Sequence, residues 1–494
     1  MKSKLLPMVL SAALATSGCA VGPDFLRPKA PAVSSYTAAT LPAETVAAGS
    51  AAAQRFVAGQ DIPAQWWALF HSPALDLLIR QAFEHSPTLA AAEATLRQAE
   101  ENMRAQTGAL LYPSVDARFG ATRQRSSGAP LGISGLPPSI FNLYNASVNV
   151  SYTINLSGGF LRALEGLQAQ IDYQKYQIEA AYLALAANIV TTAIREAALR
   201  AQLRATAEIL RIQEQQLAVI EKQLAIGGVS RSDVLAQSTQ VAQTRAGLPP
   251  LEKNLAQTRN LLSLYAGKLP GEGGLPEFDL ASLSLPQELP LSLPSELARQ
   301  RPDVRASEEL LHQASALVGV ATANLYPSLT LTGGFGQQGN QMAGLFSSPG
   351  TIWSIGGSLL QPLFHGGQLT AQRRAAIAAY DAAAAQYRGT VLQAFQNVAD
   401  ALLALEADAR THKAQADAEA LARDALDLTQ KQFGLGGVGY LSLLVAQRQY
   451  QQAHINLIQA EAARYADSAA LLQALGGGWW NRTAQAQAPA AKAD

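Results

Sequence analysis

The chain has 494 residues, and its 37 Lys+Arg are balanced by 37 Asp+Glu. That neutrality excludes the basic footprint of a nucleic-acid binder. Only 15% of residues are charged, where about 25% is usual for soluble chains, and the abundance of Ala, Leu and Gln favours long helices.

The N-terminus reads as an export signal over 1–18: Lys2 and Lys4, then the apolar "LLPMVLSAALA", then small residues. The apolar run is too short to span a bilayer, which takes about 20 residues. No later segment reads as a charge-poor apolar run of that length, so no transmembrane helix is expected in the mature chain. "TSGC" resembles a bacterial lipoprotein cleavage box, with Cys19 as the lipidated first residue carrying N-acyl and S-diacylglycerol groups. By the same resemblance, Ala20 after the cysteine fits outer-membrane sorting. A lone cysteine is otherwise a small buried hydrophobe; its position after a signal sets Cys19 apart. Residues 19–62, rich in Ala, Pro and Ser, are expected to run extended.

A helix then breaks at "LYPS", and the phrase occurs twice, at Tyr112-Pro113 and Tyr326-Pro327. Proline disfavours helix at the residue before it. Each copy is followed by alternation. Val115, Ala117 and Phe119 alternate with Ser114, Asp116 and Arg118, and Val148, Val150, Tyr152 and Ile154 alternate with Asn149, Ser151 and Thr153. In the second half Leu329, Leu331 and Phe335, then Trp353, Ile355 and Leu359, do the same. Period-two patterning marks strands with one apolar face. The polar faces carry Ser, Thr, Asn and Gly rather than the Lys and Glu of a wet sheet. The loops 122–142 and 336–350 are rich in Gly and Ser, and Tyr144, Tyr152, Phe346 and Trp353 are candidates for aromatic girdles.

Long helices follow "SGG" and "HGG". Residues 160–224 lack proline, and Leu164, Ile171, Ile178 and Leu185 fall every seventh position, as do Leu203, Leu210, Leu217 and Leu224. Val391, Val398 and Leu405 keep that period in the second half. A strict heptad implies left-handed coiled-coil packing. Both long helices end in paired glycines, at "AIGGVSR" and "GLGGVGY". The chain is thus one plan used twice: signal 1–18, lipidated segment 19–62, first repeat 63–267, linker 268–294, second repeat 295–476 and tail 477–494, the last expected to be disordered from 481. Four strands cannot close a membrane barrel, whose usual minimum is about eight, and an open edge in lipid is costly. The chain must oligomerise; two copies or three would serve.

"RPDVRASEELLHQASALVGVATANLYPSLTLTGGFG" (301–336), "GPDFLRP", "PLFHGGQL" and "VAQRQYQQAHINLIQAEAARYADSAALLQALGGGW" resemble the TolC-like outer membrane factors, closest to the lipidated OprM-type (NodT family) branch. The resemblance spans about residues 19–480. It implies a mixed α and β membrane protein whose homotrimer forms a twelve-stranded barrel, a periplasmic helical barrel and an equatorial domain. It places the protein in the outer membrane as the exit duct of a tripartite efflux system. The implied partners are a periplasmic adaptor, an inner-membrane pump of the resistance-nodulation-division type and outer-membrane lipid.

The resemblance makes Gly227, Gly228, Val229, Gly436, Gly437 and Val438 the adaptor-contact tips, although paired glycines also serve simply to reverse a chain. Beyond the tips the family narrows its tunnel. Leu441 matches an apolar gate position, Val445 stands where many members carry aspartate, and Arg448 is retained. Asp233 follows the first tip at what reads as the homologous place; it carries the gate's charge or caps a helix. The six histidines are scattered without metal-ligand spacing. "GLGGVG" has no strand before it and reads as a turn, not a nucleotide loop. No catalytic constellation stands out, so an enzyme is not expected. Type I protein secretion is a rival use of such a duct. A lipid-tethered structural coiled coil is the rival from another class.

Overall fold

The structure is a computed structural model that describes residues 20–38, 42–47, 52–126 and 139–482. The signal, Cys19, part of the first inter-strand loop and the tail beyond Arg482 lie outside these residues. The chain divides into two compact units. Unit one holds the residues up to 28, 95–174 and 307–387; unit two holds 29–94, 175–306 and those from 388 onward.

Unit one contains a four-stranded antiparallel sheet in the order β2-β3-β5-β6. The strands are β2 (Ser114–Ser126), β3 (Ser139–Asn155), β5 (Ser328–Gly339) and β6 (Thr351–Leu360). β3 begins inside the stretch expected to be loop, at Ser139. The register stacks like with like. Ala117 faces Val148, Val148 faces Phe335 and Phe335 faces Trp353. On the other face Asp116, Asn149, Gly334 and Ser354 form a polar row, and Thr153 Oγ1 meets Thr330 Oγ1 at 3.2 Å. A one-residue slip would put every apolar side chain on the wrong face, so the pattern fixes the register.

Unit two holds a small mixed core. β1 (Arg55–Ala58) pairs in parallel with β4 (Glu288–Leu291), and Arg55 forms an ion pair with Glu288. Helix α1 (Pro73–His85) starts at an N-cap, Ser72, whose side chain accepts from the Leu75 amide, with Pro73 as its first residue. Its Leu75, Leu78, Ile79 and Ala82 recur at helical spacing and are buried with Ile62, Trp66, Phe70, Phe278 and Leu289. Each fully buried leucine contributes about 1.5–3 kcal/mol. The linker therefore contributes to this core through Phe278 and Leu289. Helix α2 is Pro87–Leu111; α5 (Pro294–Gln300) and α6 (Pro302–Ala323) open the second repeat.

Four helices carry the rest: α3 (Gly159–Ala225), α4 (Arg231–Tyr265), α7 (Gln368–Gly434) and α8 (Tyr440–Ala474). The repeats match in length, 67 residues for α3 and α7 and 35 for α4 and α8. Two expectations need correction. Helix α3 does contain an 18-residue window apolar enough to cross a membrane, with mean hydropathy 1.3; Ile189, Val190, Ala193, Ile194 and Ala197 of this helix are buried, which accounts for its apolar character. Of the tail expected to be disordered from 481, the first two residues are held: Asn481 Nδ2 donates to Asp61 Oδ2 at 2.8 Å, and Arg482 pairs with Glu179; 483–494 lie outside the described residues.

Candidate functional site: the sheet and the helical tips

In unit one the apolar face of the sheet is open. Phe119, Val148, Phe335, Trp353, Ile355 and Leu359 are all exposed, Ile355 at 85%. A monomeric soluble protein rarely shows so broad an apolar patch. β2 and β6 are the sheet's two edges, each with a row of unpaired backbone groups. Phe346, expected in an aromatic girdle, lies between β5 and β6 and is exposed, whereas Tyr144 and Tyr152 lie within β3.

In unit two the helical turns repeat each other bond for bond. The Gly227 amide donates to Leu224 O at 3.0 Å and Gly228 to Gln223 O at 2.8 Å; Gly436 donates to Phe433 O at 3.0 Å and Gly437 to Gln432 O at 2.8 Å. Gly227 and Gly436 have φ of +78° and +75°. This is the Schellman arrangement, which satisfies the last carbonyls of a helix through a left-handed residue. The residues before these glycines, Ile226 and Leu435, are exposed at 83% and 88%. Val229 and Val438 are half-buried, and Val229 packs on the cluster of Ile220, Tyr440, Leu443 and Leu444, with Val234, Leu426 and Phe433 around it.

The helix starts after the turns differ. Ser230 caps α4: its amide and hydroxyl both donate to Asp233 Oδ2, at 2.9 and 2.6 Å, and the Asp233 amide donates to Ser230 Oγ at 3.2 Å. That is a capping box. Gly439 starts α8 without a side-chain cap. Asp233 N donates to Ser230 O and Ser442 N to Gly439 O, so the counterpart of Asp233 is Ser442. Of the two roles open to Asp233, gate charge or helix cap, its bonds form the cap; Val445 stands one turn beyond Ser442 along α8. Leu441, Val445 and Arg448 share a helix face at i, i+4 and i+7, and all three are exposed.

Sequence reasoning missed what holds α8 in place of a cap. The ring of Tyr440 packs edge-on against Phe433 at 5.6 Å. Its hydroxyl donates to Gln237 Oε1 on α4, and Gln237 Nε2 donates to Gln213 O on α3 at 2.8 Å. Burial, then the nearby Asp233 carboxylate, push the phenol well above its usual range. Further along α7 and α8, burial pushes Asp467 up to about 7, helped by a hydrogen bond with Asp408 and by its charge.

An open lipid-facing sheet joined to long paired helices defines the class: an outer-membrane channel built by duplication. A family model described as outer membrane efflux protein matches residues 78–268 and 293–477, one stretch per repeat. The chain is 32% identical over 424 residues to the pyoverdine export outer membrane protein OpmQ of Pseudomonas aeruginosa, covering 84% of this chain and 87% of that one. It is 29% identical over 492 residues to the probable efflux pump outer membrane protein TtgC of Pseudomonas putida, covering 98% of each. Among solved structures, the outer-membrane channel OprN matches with a TM-score of 0.83 at 26% identity, over 93% of this chain and 100% of that one. The chain belongs to the outer membrane efflux protein family.

Proposed function

We propose that three copies of this chain form the exit duct of a tripartite efflux system, anchored by lipid on Cys19. The observation that carries the reading is the four-stranded sheet with an exposed apolar face and two free edges. In lipid an unpaired edge costs several kcal/mol per group, so β6 of one copy pairs with β2 of the next until the ring closes. Three copies supply twelve strands. The likeness to a solved outer-membrane channel over nearly the whole chain supports that geometry.

The duct passes its cargo unchanged. Small organic molecules are the proposed cargo, in keeping with the pyoverdine export named for one relative. The turns at Gly227–Val229 and Gly436–Val438 meet a periplasmic adaptor, which links the duct to an inner-membrane pump of the resistance-nodulation-division type. Heat-modifiable migration of the membrane-extracted protein, with conductance in planar bilayers, tests the core of the reading. A monomer without conductance would sink it. Crosslinking from the turn positions in cells tests the adaptor: capture of an inner-membrane-anchored periplasmic protein supports contact.

A further inference from the structure

The motif "GPDFLRP" (22–28), which forms neither sheet nor helical tip, occupies a built groove in unit one. The Val21 amide donates to Ser157 O at 2.9 Å. Arg162, in the first turn of α3 with its side chain only 7% exposed, reaches Val21 O at 3.3 Å, Ala20 O at 3.5 Å and Asp24 Oδ1 at 2.6 Å. Its remaining amino group donates to Glu165 Oε2 at 2.7 Å, and Glu165 Oε1 meets His312 Nε2 at 3.0 Å. Phe25 stacks on His312, with centroids 4.4 Å apart and planes at 14°. Arg27 pairs with Glu308 at 2.8 Å but is mostly exposed, so it adds little.

Three glycines make the space. A Cβ on Gly22 would lie 2.4 Å from Gly319 Cα, one on Gly319 would lie 2.7 Å from Arg162 Cγ, and one on Gly158 would lie 2.6 Å from Ala20 Cα. Gly22 and Gly158 also have φ of +101° and +74°, where other residues are strained. Arg162 reads two backbone carbonyls and one carboxylate with the fixed fork of a guanidinium, which a lysine would not reproduce.

We propose that this groove seats the N-terminal anchor segment, with Arg162 as the positioning residue that fixes where the chain enters the membrane surface. Ala20 lies against Gly158, just beyond the end of β3 at Asn155. The start of the described segment is thereby held beside the end of β3. This inference rests on the reading of Cys19 as acylated.

The test uses the full-length protein in its own outer membrane, with a benzophenone amino acid in place of Phe25. The parent should give an adduct on the α6 peptide containing His312. Arg162→Ala should lose that adduct while heat-modifiable oligomer and conductance persist, and Arg162→Lys should not restore it. Gly22→Val excludes the segment by its clash with Gly319 while Arg162 stays in place, so it should lose the adduct even where Arg162→Ala fails to assemble. An adduct that survives both Arg162→Ala and Gly22→Val overturns the clamp. Palmitate incorporation is followed in parallel: an unlabelled parent that still gives the adduct overturns the acylation reading and leaves the groove standing.

Discussion

The Tyr440 hydroxyl donates to Gln237 Oε1, and through it three helices are joined at the tip, because Gln237 also donates to Gln213 O. Tyr440 and Gln237 are both buried. Tyr440→Phe keeps the ring packing on Phe433 but leaves Gln237 Oε1 without its donor. An unsatisfied buried acceptor costs about 1–3 kcal/mol. The first turns of α8 should exchange amide hydrogens faster in this variant, and open probability in planar bilayers should rise. Unchanged exchange over 440–447 would rule the clasp out.

The turn glycines should be sensitive to backbone strain alone. A Cβ on Gly227 or Gly436 meets nothing within 4 Å, so Gly436→Ala adds no clash. A non-glycine residue in the left-handed region costs roughly 1–2 kcal/mol. Gly227→Ala and Gly436→Ala should each loosen their turn by that amount in hydrogen exchange while the sheet is untouched.

Val445→Asp would place a carboxylate on the exposed face shared by Leu441 and Arg448. Copies around a narrow lumen would form a ring that attracts cations. Single-channel reversal potentials under a salt gradient should shift toward cation selectivity; no shift would remove Val445 from the constriction.

Val148 sits near the middle of β3, exposed on the apolar face. Val148→Arg on a lipid-facing strand near mid-membrane costs about 2–4 kcal/mol. The yield of heat-modifiable oligomer in outer membranes should fall, whereas Asn149→Arg on the polar face should leave it largely intact.

Asp467 supplies a pH dependence whose sign follows from the raised pKa. The folded chain prefers its protonated form, so the associated stability is lost as pH rises from the unfolded value of 3.8 through about 7. Thermal dissociation should therefore occur at a higher temperature in mildly acidic than in mildly alkaline buffer. Asp467→Asn should flatten that part of the profile.

The strands were legible because lipid on one side and polar surroundings on the other impose period two: Val148, Phe335 and Trp353 fall on one face as their alternation requires. The long helices were legible from heptads and missing prolines. Other features depend on partners distant in sequence. The four-residue pairing of Arg55–Ala58 with Glu288–Leu291 carries too little pattern to find. Proline is costly inside a helix, yet Pro249 and Pro250 both lie inside α4 and are exposed, where the carbonyls they leave unpaired can be hydrated. At the tip, the glycine turns were visible, but the Tyr440–Gln237 bond draws on two helices and the place of Asp233 depends on which residue caps. The sequence left Asp233 as either gate charge or cap, and only its bonds to Ser230 select the cap.

The two turns of one chain share their hydrogen bonds yet not their caps. Ser230 and Asp233 close one helix start with a carboxylate, and Gly439 leaves the other bare. A ring of three such chains would present six ends of two alternating chemistries. A docking protein that reads only the glycine turns would count six equivalent sockets, whereas one that reads the carboxylate would count three. In such an assembly the subunit ratio would turn on the Ser230–Asp233 cap.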